Sequence, residues 1–211
     1  MDNRIEELIK NIERNNMKPF YAENKAEAVS IVRSLLKKGD TISCGGSVTL
    51  SECGITELME SGEYDFLDRR KVETSEEKDE IYRKTFFADA FLTSCNAITE
   101  KGVLYNVDGH SNRVAAIAFG PKSVIVVAGV NKIVKDMDAA IMRVKTVAAP
   151  KNAVRLSAAT YCEAAGKCSD TDGEMCDGCR GRRMCSNYLV SAYQGTKDRI
   201  KVIIVNENLG Y

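Results

Sequence analysis

The chain has 211 residues, of which 44% are hydrophobic, and its 30 basic side chains balance 30 acidic ones. This length and apolar content predict one folded domain over residues 1–211 and argue against general disorder. A formal charge of zero argues against nucleic acids and anionic membrane surfaces as partners. No apolar run is long enough to span a bilayer and the first residues lack a signal-peptide core, so we expect a cytoplasmic protein.

The first part of the chain alternates predicted helices with predicted strands. Apolar residues at helical spacing predict an amphipathic helix over 2–16, and a short strand over 17–22 follows it. Asn24 is placed to cap a second helix that reaches residue 38, and residues 41–44 read as the next strand. This alternation is typical of a sheet whose strands are connected by helices.

A glycine turn follows that strand. Gly45 and Gly46 lack Cβ atoms, and Ser47 can cap the helix after them. A strand, a glycine turn and a helix start together predict an anion site made from free backbone N–H groups. The turn is not a Walker loop, because no Gly-Lys-Ser/Thr follows it, and a tight turn without any ligand is the alternative interpretation.

The alternation continues through residue 150 and predicts an α/β fold of three layers, with a mainly parallel sheet and helices on both faces. Two later strands, over 188–193 and 199–205, are separated by a short turn and predict a C-terminal hairpin. The edge of such a hairpin would let a second copy of the chain extend the sheet as a homo-oligomer. The elements between are a helix over 55–61, a strand over 64–67, a helix opening on a Thr74–Glu77 capping box, buried strands over 90–93 and 123–128, and a helix that Asp136 caps. Pro150 is predicted to break this last helix and to open a short further one.

A polar segment lies between the strands at 90–93 and 123–128. Polar groups at the ends of strands in an open α/β sheet are where ligands bind. Glu100 follows a strand and is the predicted acid, base or nucleophile, with a solvated loop glutamate as the alternative. The polar side chains of this segment are Asn96, Thr99, Glu100, Asn106, Asp108, His110, Asn112 and Arg113.

Asp108 is the second predicted catalytic carboxylate, and Arg113 could bind a carboxylate or phosphate in a bidentate fork. The two could equally pair with each other as a structural bridge. Lys132 follows the last strand of the region and could close the site over an anion, or be a surface charge. His110 is the only histidine of the chain, which excludes a zinc site built from several His ligands. The predicted anion-binding residues are Gly45, Gly46, Ser47, Asn96, Thr99, Asn112, Arg113 and Lys132.

Five of the eight cysteines fall within residues 162–185, a predicted Cys-rich loop. Cys176-x2-Cys179 has the chelate spacing of zinc knuckles and iron–sulfur loops. We predict zinc or an iron–sulfur cluster, and the alternative is a loop of free thiols. The predicted ligands are Cys168, Cys176, Cys179 and Cys185, with Cys162 as the alternative ligand. Cys95, which has no neighbouring base, is expected to be a small buried residue.

Residues 95–136, CNAITEKGVLYNVDGHSNRVAAIAFGPKSVIVVAGVNKIVKD, resemble the LUD-domain family of lactate-utilisation proteins. GGSVTL at 45–50 and the ending RIKVIIVNENLGY are similar to that family too. The resemblance implies a fold of the sugar-phosphate isomerase and CoA-transferase superfamily (NagB/RpiA/CoA-transferase-like). It also implies a role in oxidation of L-lactate to pyruvate, beside flavin or iron–sulfur partner subunits. Two departures from the family pattern are His110 and the extra residues near 171–175 of the Cys-rich loop.

Three functions remain open at this stage. The first is an accessory or small-anion-binding component of L-lactate oxidation to pyruvate. The second is a stand-alone enzyme on a phosphorylated or CoA-linked substrate, in which the glycine turn holds the anion and Glu100 transfers a proton or acyl group. The third is a metal-bearing scaffold or regulatory protein. The first two require the glycine turn and the mid-chain polar segment to line one cavity.

Overall fold

Two runs of β-branched residues form adjacent interior strands of the larger sheet in the computed structural model, which describes residues 2–211. They are β7 (Ser123–Gly129) and β10 (Ile200–Val205), and they pair in parallel. The remaining strands of this sheet are β1 (Lys18–Ala22), β2 (Thr41–Cys44), β3 (Asp65–Phe66) and β4 (Ala90–Thr93). The six strands are all parallel and lie in the order β1-β10-β7-β4-β2-β3.

Helices cover both faces of this sheet, because alternate side chains of its central strands point to opposite sides. On one face Leu92 and Ile125 share a core with residues of α2, α3 and α4, while on the other Phe91 and Val126 share a core with α1 and α6. The predicted three-layer α/β architecture is therefore confirmed. The helices are α1 (Asn3–Arg14), α2 (Lys25–Leu35), α3 (Val48–Glu52), α4 (Ile55–Met59), α5 (Ser75–Lys84), α6 (Asn112–Ala118), α7 (Met137–Arg143), α8 (Ala149–Leu156) and α9 (Tyr161–Ala165).

A second, four-stranded sheet carries much of the mid-chain polar segment. Its strand order is β8-β5-β6-β9, with β5 antiparallel to β6, β6 antiparallel to β9, and β5 parallel to β8. These strands are β5 (Ala97–Thr99), β6 (Leu104–Asp108), β8 (Ile133–Val134) and β9 (Asn187–Ser191). Because β5 begins a few residues after β4 ends, the polar segment starts at the carboxyl edge of the larger sheet.

The predicted C-terminal hairpin is wrong. The first of its two strands, β9, pairs with β6 in the smaller sheet, whereas the second, β10, lies between β1 and β7 in the larger one. The physical reason is the composition of β10: Ile200 and Val202–Val205 are all buried, and such a run needs cover on both faces. The hairpin edge on which a homo-oligomer was expected is therefore not formed.

Pro150 opens a short further helix, α8, as predicted, but it does not break the helical backbone that begins at the Asp136 cap. Helical backbone runs from α7 through a π-helical turn at Val144–Ala148 into α8, where Pro150 lies in the first turn. Proline is tolerated there because the first N–H groups of a helix have no intrahelical acceptor. Among the described residues, no helix is both long and apolar enough to cross a membrane.

Candidate functional site

A cavity of about 630 Å³ lies at the carboxyl edge of the larger sheet. It sits at the ends of β2 and β4, where the chain order of the strands reverses, which is where open α/β sheets bind ligands. One wall consists of residues 46–49, 93–96, 107–110, 112–113 and Lys132, and we call it the strand-end wall. Facing it are residues of α8, the C-terminal Tyr211, and Arg183, Met184 and Cys185 from the irregular segment 166–186, which we call the Cys segment.

Arg113 holds the strand-end wall together. Its Nε donates to Asp108 Oδ1 at 2.8 Å, and its two terminal nitrogens donate to side-chain and backbone oxygens of four further residues. These acceptors match the five N–H donors of a guanidinium, so Arg113 has no donor left for a ligand. Arg113 therefore positions the site, as the structural-bridge alternative describes. The four further acceptors are Ser94 O, Asn106 Oδ1, Asn96 Oδ1 and Val107 O.

Asp108 likewise uses both of its carboxylate oxygens in hydrogen bonds within the protein. Oδ1 accepts from Arg113, Oδ2 accepts from the backbone N–H of Val114 at 2.9 Å, and the residue is buried. An aspartate whose two oxygens both accept hydrogen bonds in this way is poorly placed to transfer protons to a substrate. Its role in the structure is to join β6 to α6.

Gly45 brings the glycine turn against Arg113. A Cβ at this position would lie 2.8 Å from Arg113 Cδ and 3.3 Å from Thr93 Oγ1, so only glycine leaves the arginine in place. Gly45 lies behind the cavity surface, whereas Gly46 and Ser47 line it. Ser47 accepts from Leu50 N and caps α3, but α3 has only five residues and contributes little dipole. The glycine turn and the mid-chain polar segment thus line the same cavity, as expected from the sequence.

Lys132 is the buried cation of this cavity. Its Nζ donates to Thr49 Oγ1 at 2.8 Å and to Ser94 Oγ at 2.9 Å, and only 3% of the residue is exposed. Among the described residues no carboxylate pairs with it, and burial lowers the pKa of Lys132 to about 8. Because an ammonium has three donors, one N–H remains for a ligand in the cavity.

The charges that line the cavity are strongly one-sided. Asp108 is the single acidic side chain of the lining and is neutralised by Arg113, whereas the other charged side chains are basic: Arg69, Lys132, Arg155 and Arg183. Tyr82 holds Arg69 through a hydrogen bond and ring contact, and Tyr211 accepts from Arg155 at 2.7 Å. A cavity with four cations in a chain of zero net charge attracts anions.

A second, much smaller cavity of about 30 Å³ lies between the Cys segment and residues of β6, the α7–α8 helical region and α9. Cys162, Cys168, Cys179 and Cys185 line it, whereas Cys176 is exposed and lies outside it. Burial raises the pKa of Cys185 to about 11. Within residues 2–211, no three His, Cys, Asp or Glu side chains stand close enough together to hold a metal ion, so zinc or an iron–sulfur cluster here stays a prediction.

The sequence model of the LUD domain matches residues 5–205, almost the whole chain. The chain belongs to the LUD domain family. This family is associated with lactate utilisation, and the resemblance drawn from the glycine turn and the mid-chain segment is confirmed. A search of curated proteins found no match to this LUD domain.

One solved structure supports the fold. A DUF162 family protein from Deinococcus radiodurans is similar to this LUD domain with a TM-score of 0.55 at 17% identity, over 96% of both chains. The delta subunit of eIF2B from Chaetomium thermophilum aligns with a TM-score of 0.36 at 20% identity, over 53% of this chain and 49% of that one. The first likeness supports the α/β fold, and the second is too weak to carry an argument.

The structure does not bring Glu100 or Thr99 to the cavity of this LUD domain. Glu100 lies in the turn after β5, is 42% exposed in its side chain, and pairs with Arg4 of α1 at 2.7 Å. Thr99 is buried, and its Oγ1 accepts from Val103 N inside the same turn. The turn connects two antiparallel strands, so it projects away from the carboxyl edge where the other residues lie.

The remaining predicted residues of the polar segment do line the cavity. Asn96 and Asn112 lie on the strand-end wall, although Asn96 Oδ1 is occupied by Arg113 and Val107 N. His110 lines the cavity with an exposed ring beside Asp79. Cys95 is buried, and burial raises its pKa, which agrees with a packing role.

Several side chains that line the cavity were not identified from the sequence, among them five polar or charged ones. The rule that ligands bind at strand ends could have identified Ser94, because it directly follows β4. Thr49 follows the glycine turn and could have been found in the same way. No local pattern marks the others, which come from separate parts of the chain: Arg69, Arg155 and Tyr211.

Proposed function

We propose that this LUD domain is a small-anion-binding component of the oxidation of L-lactate to pyruvate. The observation that carries the proposal is Lys132, a buried ammonium in the cavity lining with two hydroxyl partners, no acidic partner among the described residues and one N–H donor left over. The carboxylate of a 2-hydroxy or 2-oxo acid has the charge and the acceptor oxygens to complete this arrangement. The association of the family with lactate utilisation supports the choice of metabolite.

In this role Lys132 binds the carboxylate, while Thr49 and Ser94 fix the ammonium in position. The hydroxyl-lined pocket orients the acid, and the outer cations Arg69, Arg155 and Arg183 raise the local concentration of anions. Flavin or iron–sulfur partner subunits would carry the electrons, as the resemblance implies. The domain then acts as an accessory component that presents or senses the metabolite.

A second candidate is a stand-alone enzyme on a phosphorylated or CoA-linked small substrate. The volume of about 630 Å³ and the four cations favour it, because lactate would occupy only a small part of such a cavity. Glu100 lies outside the cavity, so Lys132 replaces it as the candidate acid–base group. A pKa of about 8 places this lysine near the pH at which it can both accept and release a proton.

Thermal-shift titration separates the two candidates. The purified chain is titrated with L-lactate, pyruvate, a sugar phosphate, CoA and inorganic phosphate, and the first proposal predicts saturable stabilisation by lactate or pyruvate. Lys132→Met should abolish this stabilisation, while Lys122→Met, an exposed lysine at the opposite end of β7, should retain it.

The outcome decides between the roles. Stabilisation by the sugar phosphate or CoA alone would replace the first proposal with the second. The accessory role is tested in a host that requires this protein to grow on L-lactate: Lys132→Met should fail to restore growth, and Lys122→Met should restore it. A uniform lack of response to all five ligands would contradict both candidates.

A further inference from the structure

Four cysteines, one from α9 and three from the Cys segment, face one small cavity. Cys162 comes from α9 and Cys168 follows it, while Cys179 and Cys185 approach from the other half of the segment. The two pairs have the same spacing, Cys-x5-Cys, with ten residues between them. This spacing exceeds the two to four residues of common zinc motifs, which explains why the sequence pattern directed attention to Cys176 instead.

Cationic groups surround the same cavity. Buried Lys145 lines it and donates from Nζ to the carbonyls of Gly173 and Glu174 at 3.1 and 2.6 Å. Arg183 also lines it and donates from Nε to Cys185 O at 2.6 Å. A divalent ion held by four thiolates carries a net charge of −2, which these two cations offset, while Asp177 also lines the cavity and adds one negative charge. Positive neighbours also favour the thiolate form that metals bind.

The size of the cavity indicates what it can hold. A volume of about 30 Å³ is on the scale of a single ion, and an iron–sulfur cluster is kept as an outcome of the test below. Among the described residues, no three potential ligand side chains lie close enough together to coordinate one ion. Metal binding therefore requires the Cys segment to move inward around the ion. The described residues 166–186 form no helix or strand that would resist this contraction.

We propose that Cys162, Cys168, Cys179 and Cys185 bind one tetrahedral Zn²⁺, and that Cys176 is not a ligand. Binding replaces the four S–H protons, which are released to solvent, by four zinc–sulfur bonds. The ion then fixes the wall that supplies Arg183 and Cys185 to the larger cavity. The metal and the anion occupy different cavities, which share Arg183 and Cys185 in their linings, and each proposal is tested with its own ligand, so either can fail alone.

Metal titration of the full chain tests the ligand set. The chain is purified under reducing conditions, stripped with a chelator, and titrated with Co²⁺, which reports tetrahedral thiolate coordination by its intense visible absorption. We expect saturation at about one Co²⁺ per chain and displacement by Zn²⁺. Cys162→Ser and Cys179→Ser should each weaken binding at least tenfold, whereas Cys176→Ser should bind like the wild type.

Alkylation of the wild-type chain keeps the test valid if a variant fails to fold. With Zn²⁺ present, mass spectrometry after iodoacetamide treatment should show the four proposed ligands protected and Cys176 modified. Loss of binding in Cys176→Ser with retention in Cys162→Ser would overturn the proposal. So would the absence of the thiolate–cobalt spectrum, or a brown anaerobic preparation that contains an iron–sulfur cluster.

Discussion

The two walls of the large cavity are built by different means. The strand-end wall is fixed by a guanidinium whose donors bind five residues, and it lies where β2, β4 and β7 end. The Cys segment has no helix or strand over residues 166–186 and is attached through a few anchors such as Lys145 and Arg183. One wall is thus preorganised by the sheet, while the other depends on side-chain contacts and, by our proposal, on a metal.

Removing Arg113 should destabilise the strand-end wall more than any other single change. Arg113→Met leaves buried Asp108 without its charge partner, and we expect the free energy of unfolding to fall by about 3–5 kcal/mol. Arg69→Met is the matched control, because Arg69 lines the same cavity but holds only Tyr82. Urea denaturation should show a loss below about 1 kcal/mol for the control. Equal losses in the two variants would mean that Arg113 does not organise the wall.

Glycine-to-alanine substitutions, which add one methyl group each, compare how tightly the two walls are packed. Gly45→Ala places a Cβ against Arg113 Cδ, which its hydrogen bonds hold in place, and should cost about 1–3 kcal/mol of stability. Gly181→Ala, in the Cys segment, places its Cβ where no atom lies within 4 Å and should be nearly neutral. Thermal unfolding of both variants measures the difference. A tolerated Gly45→Ala would show that the strand-end wall is adaptable.

The pH dependence of anion binding distinguishes the cations of the two walls. Lys132 is charged below its pKa of about 8 and neutral above it, so affinity should be constant below pH 8 and fall about tenfold per pH unit above it. Arg183 of the Cys segment stays charged throughout this range. Arg183→Met should therefore lower affinity equally at every pH, and Lys132→Met should remove the pH dependence. The range from pH 7 to pH 9 extends about one unit on either side of that pKa. A wild-type affinity that does not change over this range would contradict the role of Lys132.

Glu100 gives the smallest expected effect. Its pair with Arg4 is exposed on both sides, and such pairs contribute about 0–1 kcal/mol. Glu100→Gln should leave anion affinity and turnover unchanged, whereas Asp108→Asn, on the strand-end wall, should reduce stability because it weakens the bond to Arg113. A clear loss of anion binding in Glu100→Gln would contradict the placement of Glu100 outside the binding site.

Much of the fold follows from local pattern. The buried run of β7, the Ser47 cap and the Thr74–Glu77 capping box all form as expected, because each depends on a few neighbouring residues. The hairpin prediction failed because local sequence does not specify the partner of a strand. β10 pairs with β1 and β7, which lie far away in the chain. In that position both of its faces are buried in the two cores of the domain.

The site was predictable in position but not in detail. The strand-end rule places the glycine turn and the polar segment together, yet it cannot assign the contacts of Arg113 or bury Lys132. Both depend on long-range partners: Lys132 on Thr49, 83 residues away, and Arg113 on Ser94 and Asn96. The spacing of the cysteines favoured Cys176, and only the packing of the segment around one cavity points to Cys162.

The central claim is that Lys132 holds an anion at the carboxyl edge of the sheet. Calorimetric titration of pyruvate into the wild type, Lys132→Met and Lys122→Met tests it most directly. We predict saturable binding to the wild type and to Lys122→Met, and at least a tenfold weaker affinity for Lys132→Met. Equal affinities for all three proteins would contradict the claim.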